Sequence, residues 1–224
     1  MATDVSVVRV FTDDNGRFGN PLGIVAADAV DEADRQQFAT GLGYSETVFV
    51  DRAESGTASA TIYTPAVELP FAGHPTVGLS WWLRDQGHPI GVLVVPAAPL
   101  TIRYDDEHTW VRARADWTPH FTFHQVNDAA EVAAAVPSAY DSGHHYVWAW
   151  TDEAHGALRS RMFAPMMGIA EDEATGAAAV RLTSELGRGL NIVQGAGSRL
   201  RTTIDDEGWV ELGGRTAADA SISV

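Results

Sequence analysis

Three stretches of this 224-residue chain carry groups suited to moving a proton on a bound anion. The first is Glu68-Leu69-Pro70-Phe71-Ala72-Gly73-His74-Pro75. Its small residues allow close approach of backbone to a ligand. A helix opening at His74 exposes unpaired N–H groups at its positive dipole end, which suits a carboxylate or phosphate. His74 adds a group that titrates near neutrality. The second stretch is Glu171-Asp172-Glu173-Ala174-Thr175-Gly176-Ala177, another acid-flanked helix start. The third is Glu46 in Tyr44-Ser45-Glu46-Thr47-Val48-Phe49-Val50. Desolvation by Val48, Phe49 and Phe71 would raise its carboxyl pKa, as a general base near neutral pH requires. Each stretch also has a plainer reading. These are a helix start with a small residue, a solvated acidic loop complementing its own helix dipole, and an exposed strand-edge Glu.

Composition closes several other routes. With no Cys there are no disulfides, thiol nucleophiles or zinc–thiolate sites. With no Lys, all 15 basic residues being Arg, there is no Schiff-base chemistry and no phosphate-loop lysine. No dinucleotide fingerprint is present. His120 and His124 sit four apart without a helix signal or a third ligand, so no metal site is expected. His144-His145 reads as a turn, and Trp81-Trp82, Trp148 and Trp150 as packing. The net charge of −15 disfavours nucleic acid and acidic membranes as partners. No apolar run approaches the ~18 residues of a membrane span. The first ten residues, with Asp4 and Arg9, lack a signal-peptide centre, so the expected location is the cytoplasm.

The elements that must position these groups follow from periodicity and breakers. Strands are expected at residues 5–11, 22–26, 46–50, 60–63, 92–95, 100–104 and 109–113. A helix is expected at 31–42, capped by Asp31 and ended by Gly41 and Gly43. Another is expected from His74 to about Gln86, with Pro75 in its first turn. The second half reads as a short helix at 128–135, strands at 146–151 and 158–163, a loop at 164–175 and a helix at 176–186. Strands at 190–193, 200–204 and 209–212 close the chain. Tyr63-Thr64-Pro65 leading to Gly73-His74 is echoed about a hundred residues later by Phe163-Ala164-Pro165 leading to Thr175-Gly176. The echo predicts two similar halves, 1–108 and 109–224, each with a strand–loop–helix unit.

Four motifs in order carry a resemblance to a known family. They are Val10-Phe11-Thr12 with Gly19-Asn20-Pro21-Leu22, Ser45-Glu46-Thr47-Val48-Phe49, Tyr63-Thr64-Pro65 with Glu68 to Thr76, and Arg161 to Pro165 with Gly168-Ile169 and Glu171 to Gly176. Together they resemble the PhzF-like phenazine-biosynthesis isomerases of the diaminopimelate epimerase-fold superfamily. The resemblance implies an α+β fold of two pseudo-symmetric halves, each a curved, barrel-like sheet around a central helix. It places the active site between them and the last strand back on the N-terminal half.

The resemblance further implies a cofactor-independent, metal-free isomerase, commonly a homodimer, acting on a small unsaturated cyclic amino or hydroxy acid in secondary-metabolite biosynthesis. Glu46 would shuttle the proton, assisted by His74 and Asp172. Gly73, Thr175, Gly176 and Ala177 would bind the substrate, with Gly73 and Gly176 presenting N–H groups to its carboxylate. The alternatives are an epimerase or racemase acting at one carbon, and an inactive small-molecule binder of the same fold. Three departures from the family pattern argue for a different substrate. Glu173 replaces a usual Pro, Ala177 replaces a frequent Ser, and the second half is short, with Arg199 arriving early after Gln194-Gly195.

Overall fold

The computed structural model describes residues 2–51, 54–140, 142–165 and 169–224. Gly168 of the fourth motif lies outside the described residues. Alternating apolar residues build most of the strands. In order these are β1 (Asp4–Thr12), β2 (Asn20–Ala26), β3 (Glu46–Val50), β4 (Thr57–Tyr63), β5 (Glu68–Leu69), β6 (Val92–Val95), β7 (Ala98–Tyr104) and β8 (Thr109–Ala113). Then come β9 (Thr122–Gln125), β10 (His145–Asp152), β11 (Ala157–Ala164), β12 (Ile169–Asp172), β13 (Leu190–Gln194), β14 (Ser198–Ile204), β15 (Val210–Ala218) and β16 (Ile222–Ser223). The helices are α1 (Arg35–Leu42), α2 (Gly73–Asp85), α3 (Ala129–Ala134) and α4 (Gly176–Leu186). Among the described residues no helix is long and apolar enough to cross a membrane.

Strands β1, β2, β3, β4, β6, β7, β8 and β15 pair in that order, and β15 pairs back onto β1, closing an eight-stranded barrel. Helix α2 runs inside it, with Gly73 to Ser80 all buried. The second sheet repeats the pairing. From β2 to β8 neighbours run parallel, antiparallel, parallel, antiparallel, antiparallel; from β9 through β10, β11, β13 and β14 to β15 the same sequence recurs. The second sheet curves around α4, whose residues Gly176 to Val180 are buried, and β9 is its free edge. The architecture is therefore α+β with two pseudo-symmetric halves.

Four local expectations change. Asp31 makes no side-chain cap, and residues 32–34 form a 3-10 turn before α1, which ends on Gly43 at φ +71°. Both connecting loops contain a short strand: β5 pairs β4, and β12 pairs β11. Their lengths of two and four residues are too short for a periodic signal. β9 likewise lies where no strand was expected, its four residues being neither wholly apolar nor alternately buried. β15 runs to Ala218, well past Leu212, because its polar end finds a partner in β1.

Close packing of α2 on β1 and β2 depends on Gly78. A Cβ there would lie 2.5 Å from Val10 Cγ2 and 2.7 Å from Leu22 Cδ2. Gly78→Ala is therefore expected to destabilise the protein by about 1–3 kcal/mol through overpacking. Gly41→Ala, in α1 with nothing within 4 Å of the added Cβ, should stabilise it by about 0.5–1 kcal/mol. Chemical denaturation of the two variants beside wild type checks both signs.

Candidate active site

The two central helices point their N-termini at each other. A Cβ on Gly73 would sit 2.9 Å from the Gly176 carbonyl carbon and 2.5 Å from Leu212 Cδ2. A Cβ on Gly176 would sit 2.9 Å from His74 N. Only glycine at both positions lets the helix starts abut. Neither helix has a side-chain N-cap: Ala72 has nothing to offer, and the Thr175 hydroxyl does not turn to the amides. The amides of Gly73, His74, Gly176, Ala177 and Ala178 accordingly have no partner among the described residues. Five unpartnered N–H donors at two dipole ends are chemically suited to an anion.

Three titratable side chains gather there. Glu46 opens β3, His74 is the second residue of α2, and Asp172 ends β12. His74 Nδ1 lies 2.9 Å from Glu46 Oε2, and His74 Nε2 lies 3.1 Å from the Asn20 carbonyl oxygen. A carbonyl only accepts, so Nε2 carries a proton. The Glu46–His74 contact then holds one further proton, on either the acid or Nδ1. Burial pushes the Glu46 carboxyl up, but the hydrogen bond and charge of His74 outweigh it and leave it below its ordinary value.

This corrects the expectation that desolvation raises Glu46. Phe49 points to the other side of β3, into a cluster with Val5, Val7 and Tyr63, so it supplies no apolar wall to Glu46. The raised group is Asp172. Burial, then the nearby charge of Glu46, push its carboxyl up to about 7. Two carboxylates in one closed site do not both ionise readily. The hydrogen bonds from Thr175 Oγ1 to Asp172 Oδ2 (2.6 Å) and from Asn20 Nδ2 to Oδ1 (2.7 Å) favour the charged form but only limit the rise.

Asn20 joins the halves. Its carbonyl accepts from His74, and its side-chain amide donates to Asp172 Oδ1 and, at 3.2 Å, to the Ala174 carbonyl. Its Oδ1 accepts from Ser45 Oγ at 3.0 Å. Asn20 is a position in this network that the sequence analysis missed, although it stands in a motif; its only local signal was the Gly-Asn-Pro punctuation. Gln194 was also missed. Its side chain donates to the Asp172 carbonyl (2.9 Å) and to Thr175 Oγ1 (2.8 Å).

The acidic run divides by strand alternation. Glu171 faces out and pairs with Arg161 through both oxygens, at 2.8 and 2.6 Å. Glu173 accepts from the Ala196 amide (2.8 Å) and Ser198 Oγ (2.6 Å), tethering the turn between β13 and β14. Arg199 pairs with Asp14. The Thr175 hydroxyl is committed to Asp172 and Gln194, so it orients the acid. Ala177 is buried in the first turn of α4 and offers an amide without a hydroxyl. His124 lies on β9, 3.0 Å from His145 Nδ1, and takes no part in this network.

The family model for phenazine biosynthesis-like proteins, PhzC-PhzF, matches residues 8–135 and 119–205. The chain belongs to this family. It is 29% identical over 217 residues to trans-2,3-dihydro-3-hydroxyanthranilate isomerase of Pseudomonas aeruginosa, covering 79% of this chain and 77% of the relative. It is 31% identical over 150 residues to antisense-enhancing sequence 1 of Schizosaccharomyces pombe, covering 60% of this chain but only 49% of that protein. The chain thus spans about half the length of that relative. A phenazine biosynthesis protein of the PhzF family from Enterococcus faecalis superposes with TM-score 0.78 at 20% identity, covering 100% of this chain and 99% of the other. A hydroxyproline epimerase from Agrobacterium vitis shares the fold more distantly, with TM-score 0.62 at 10% identity, covering 100% and 91%.

The raised Asp172 has a consequence for this PhzF-family chain's stability. Between about pH 4 and pH 7 the unfolded carboxyl is ionised while the folded one keeps its proton. The folded state therefore binds more protons, and this group's contribution is full below pH 4 and lost as pH rises toward 7. Melting temperatures measured from pH 5 to pH 7.5 should fall in wild type relative to Asp172→Asn. Parallel profiles would show that Asp172 titrates normally.

Proposed function

We propose that this chain is a cofactor-independent isomerase that moves a proton between two carbons of a small unsaturated cyclic amino or hydroxy acid. The observation that carries the reading is the Glu46–His74 pair at 2.9 Å, standing with Asp172 at the meeting point of two uncapped helix starts. The substrate carboxylate takes the amides of Gly73, Gly176 and Ala177. Binding of the anion there costs little despite the overall charge of −15, because the nearest partial charges are positive.

With the anion fixed, Glu46 in its carboxylate form removes a proton from a carbon activated by conjugation with the carboxylate. The negative charge that develops spreads into that carboxylate, where the helix amides strengthen their hold in the transition state. His74 donates to Glu46 before the transfer and settles the new carboxylic acid afterwards. Glu46 then returns the proton to a second carbon on the same face. Asp172, protonated near neutral pH, donates a hydrogen bond to an amine or hydroxyl of the ring and fixes which carbon lies over Glu46. The relative from Pseudomonas aeruginosa is named for isomerising trans-2,3-dihydro-3-hydroxyanthranilate, a substrate of this chemical class. Ala177 leaves the start of α4 without a hydroxyl, which favours a ring acid other than that one.

The test is incubation with dihydro ring acids in D₂O, followed by proton NMR. Glu46→Gln should fold and bind ligand within about tenfold of wild type, since one decade is ~1.4 kcal/mol. It should lose about 10²–10⁴-fold in turnover and deuterium uptake, the usual worth of a general base. Uptake at the wild-type rate would remove Glu46 from the chemistry, and deuterium returned with inversion to the donor carbon would make the protein an epimerase.

A further inference from the structure

Helix α4 begins in a way its own sequence does not require. Thr175 stands at the N-cap, where a threonine hydroxyl commonly accepts from an amide of the first turn. Here it accepts from none of them. The same chain caps α3 in the ordinary manner, with Asp128 Oδ1 accepting from Ala130 N and Glu131 N, both at 2.9 Å. The missing cap on α4 therefore calls for a local cause.

That cause is a buried chain of hydrogen bonds with one direction. Ser160 Oγ donates to Tyr146 OH at 2.8 Å, and Tyr146 OH donates to Gln194 Oε1 at 3.1 Å. The Thr175 amide also donates to Gln194 Oε1, at 3.2 Å. An amide N–H cannot accept, so that side of the Gln194 amide is its oxygen, and Nε2 faces the other way. Nε2 donates to the Asp172 carbonyl at 2.9 Å and to Thr175 Oγ1 at 2.8 Å. With an acceptor site so occupied, Thr175 sends its proton to Asp172 Oδ2, 2.6 Å away. Ser160, Tyr146 and Gln194 are each 0% exposed, so these bonds are shielded from bulk solvent.

We infer that Gln194 is a positioning residue that keeps the α4 start uncapped, holding the Thr175 hydroxyl on Asp172 so that the Gly176, Ala177 and Ala178 amides stay free for a ligand anion. The anion site would then be maintained by denying the helix its own cap. This rests on the proposed carboxylate site and adds to it a residue that touches no substrate.

The probe is benzoate, titrated into ¹⁵N-labelled protein while the amide signals of Gly176, Ala177 and Ala178 are followed. Gln194→Met should bind benzoate about fivefold or more weakly, because the freed Thr175 hydroxyl competes for those amides with the strength of a typical side-chain cap. Adding Thr175→Val to Gln194→Met should recover most of the lost affinity. A merely structural Gln194 predicts that the double variant is no better than the single. If Gln194→Met does not fold, Tyr146→Phe loosens the same amide. It should give a smaller loss, again recovered by Thr175→Val. Equal affinity in wild type and both single variants, or no recovery in the doubles, overturns the inference and leaves the anion site standing. Failure of wild type to bind benzoate at those amides removes the site and the inference together.

Discussion

Gly73, Gly176 and Leu212 meet in a space that admits no Cβ on either glycine, and the site follows from that contact. Two helices enter from different halves of the chain, one inside the closed barrel and one inside the open second sheet. Their axes bring two positive dipole ends together, an arrangement that negative charge between them stabilises. β15 supplies Leu212 and pairs with β1, β8 and β14, so the strand that seals the barrel also seats both helix starts. A shift of either sheet would separate the two helix starts.

The acids around this point are organised by unequal surroundings. His74 is buried and bonded on both nitrogens, so its ring is fixed in place. The hydrogen bond and charge of His74 hold the Glu46 carboxyl below its ordinary value, against the effect of burial. Asp172 feels the resulting charge and keeps its proton to near neutrality. The two carboxyls are thereby shifted in opposite directions, a division that environment alone makes between similar groups. The backbone and amide of Asn20 carry the connection between them.

Much of this was legible in the residues. The helix starts at Gly73 and Gly176 could be read from small residues before an apolar run. The likeness of the halves could be read from the paired Pro-to-helix spacings. The electrostatics could not. His74 lies 28 residues from Glu46, and no local rule says that they touch. A reading of Glu46 limited to its own strand counts Phe49 as a neighbour, although the strand's alternation turns Phe49 away. Asn20 and Gln194 were silent for a related reason. A buried amide declares its role only when its partners, 152 residues off in Asn20–Asp172 and 22 in Gln194–Asp172, are in place. β12 was hidden because four residues with two acids resemble a solvated loop until β11 pairs with them.

The unequal charging of Glu46 and Asp172 is the centre of this account, and carboxyl ¹³C NMR reads it directly. Protein labelled at Glu Cδ and Asp Cγ would be titrated from pH 3 to pH 8, with Glu46→Gln and Asp172→Asn used to assign the two signals. The account predicts that Glu46 titrates below the ordinary glutamate value and Asp172 near pH 7. An Asp172 signal that titrates near the ordinary aspartate value, with Glu46 displaced upward, would contradict it.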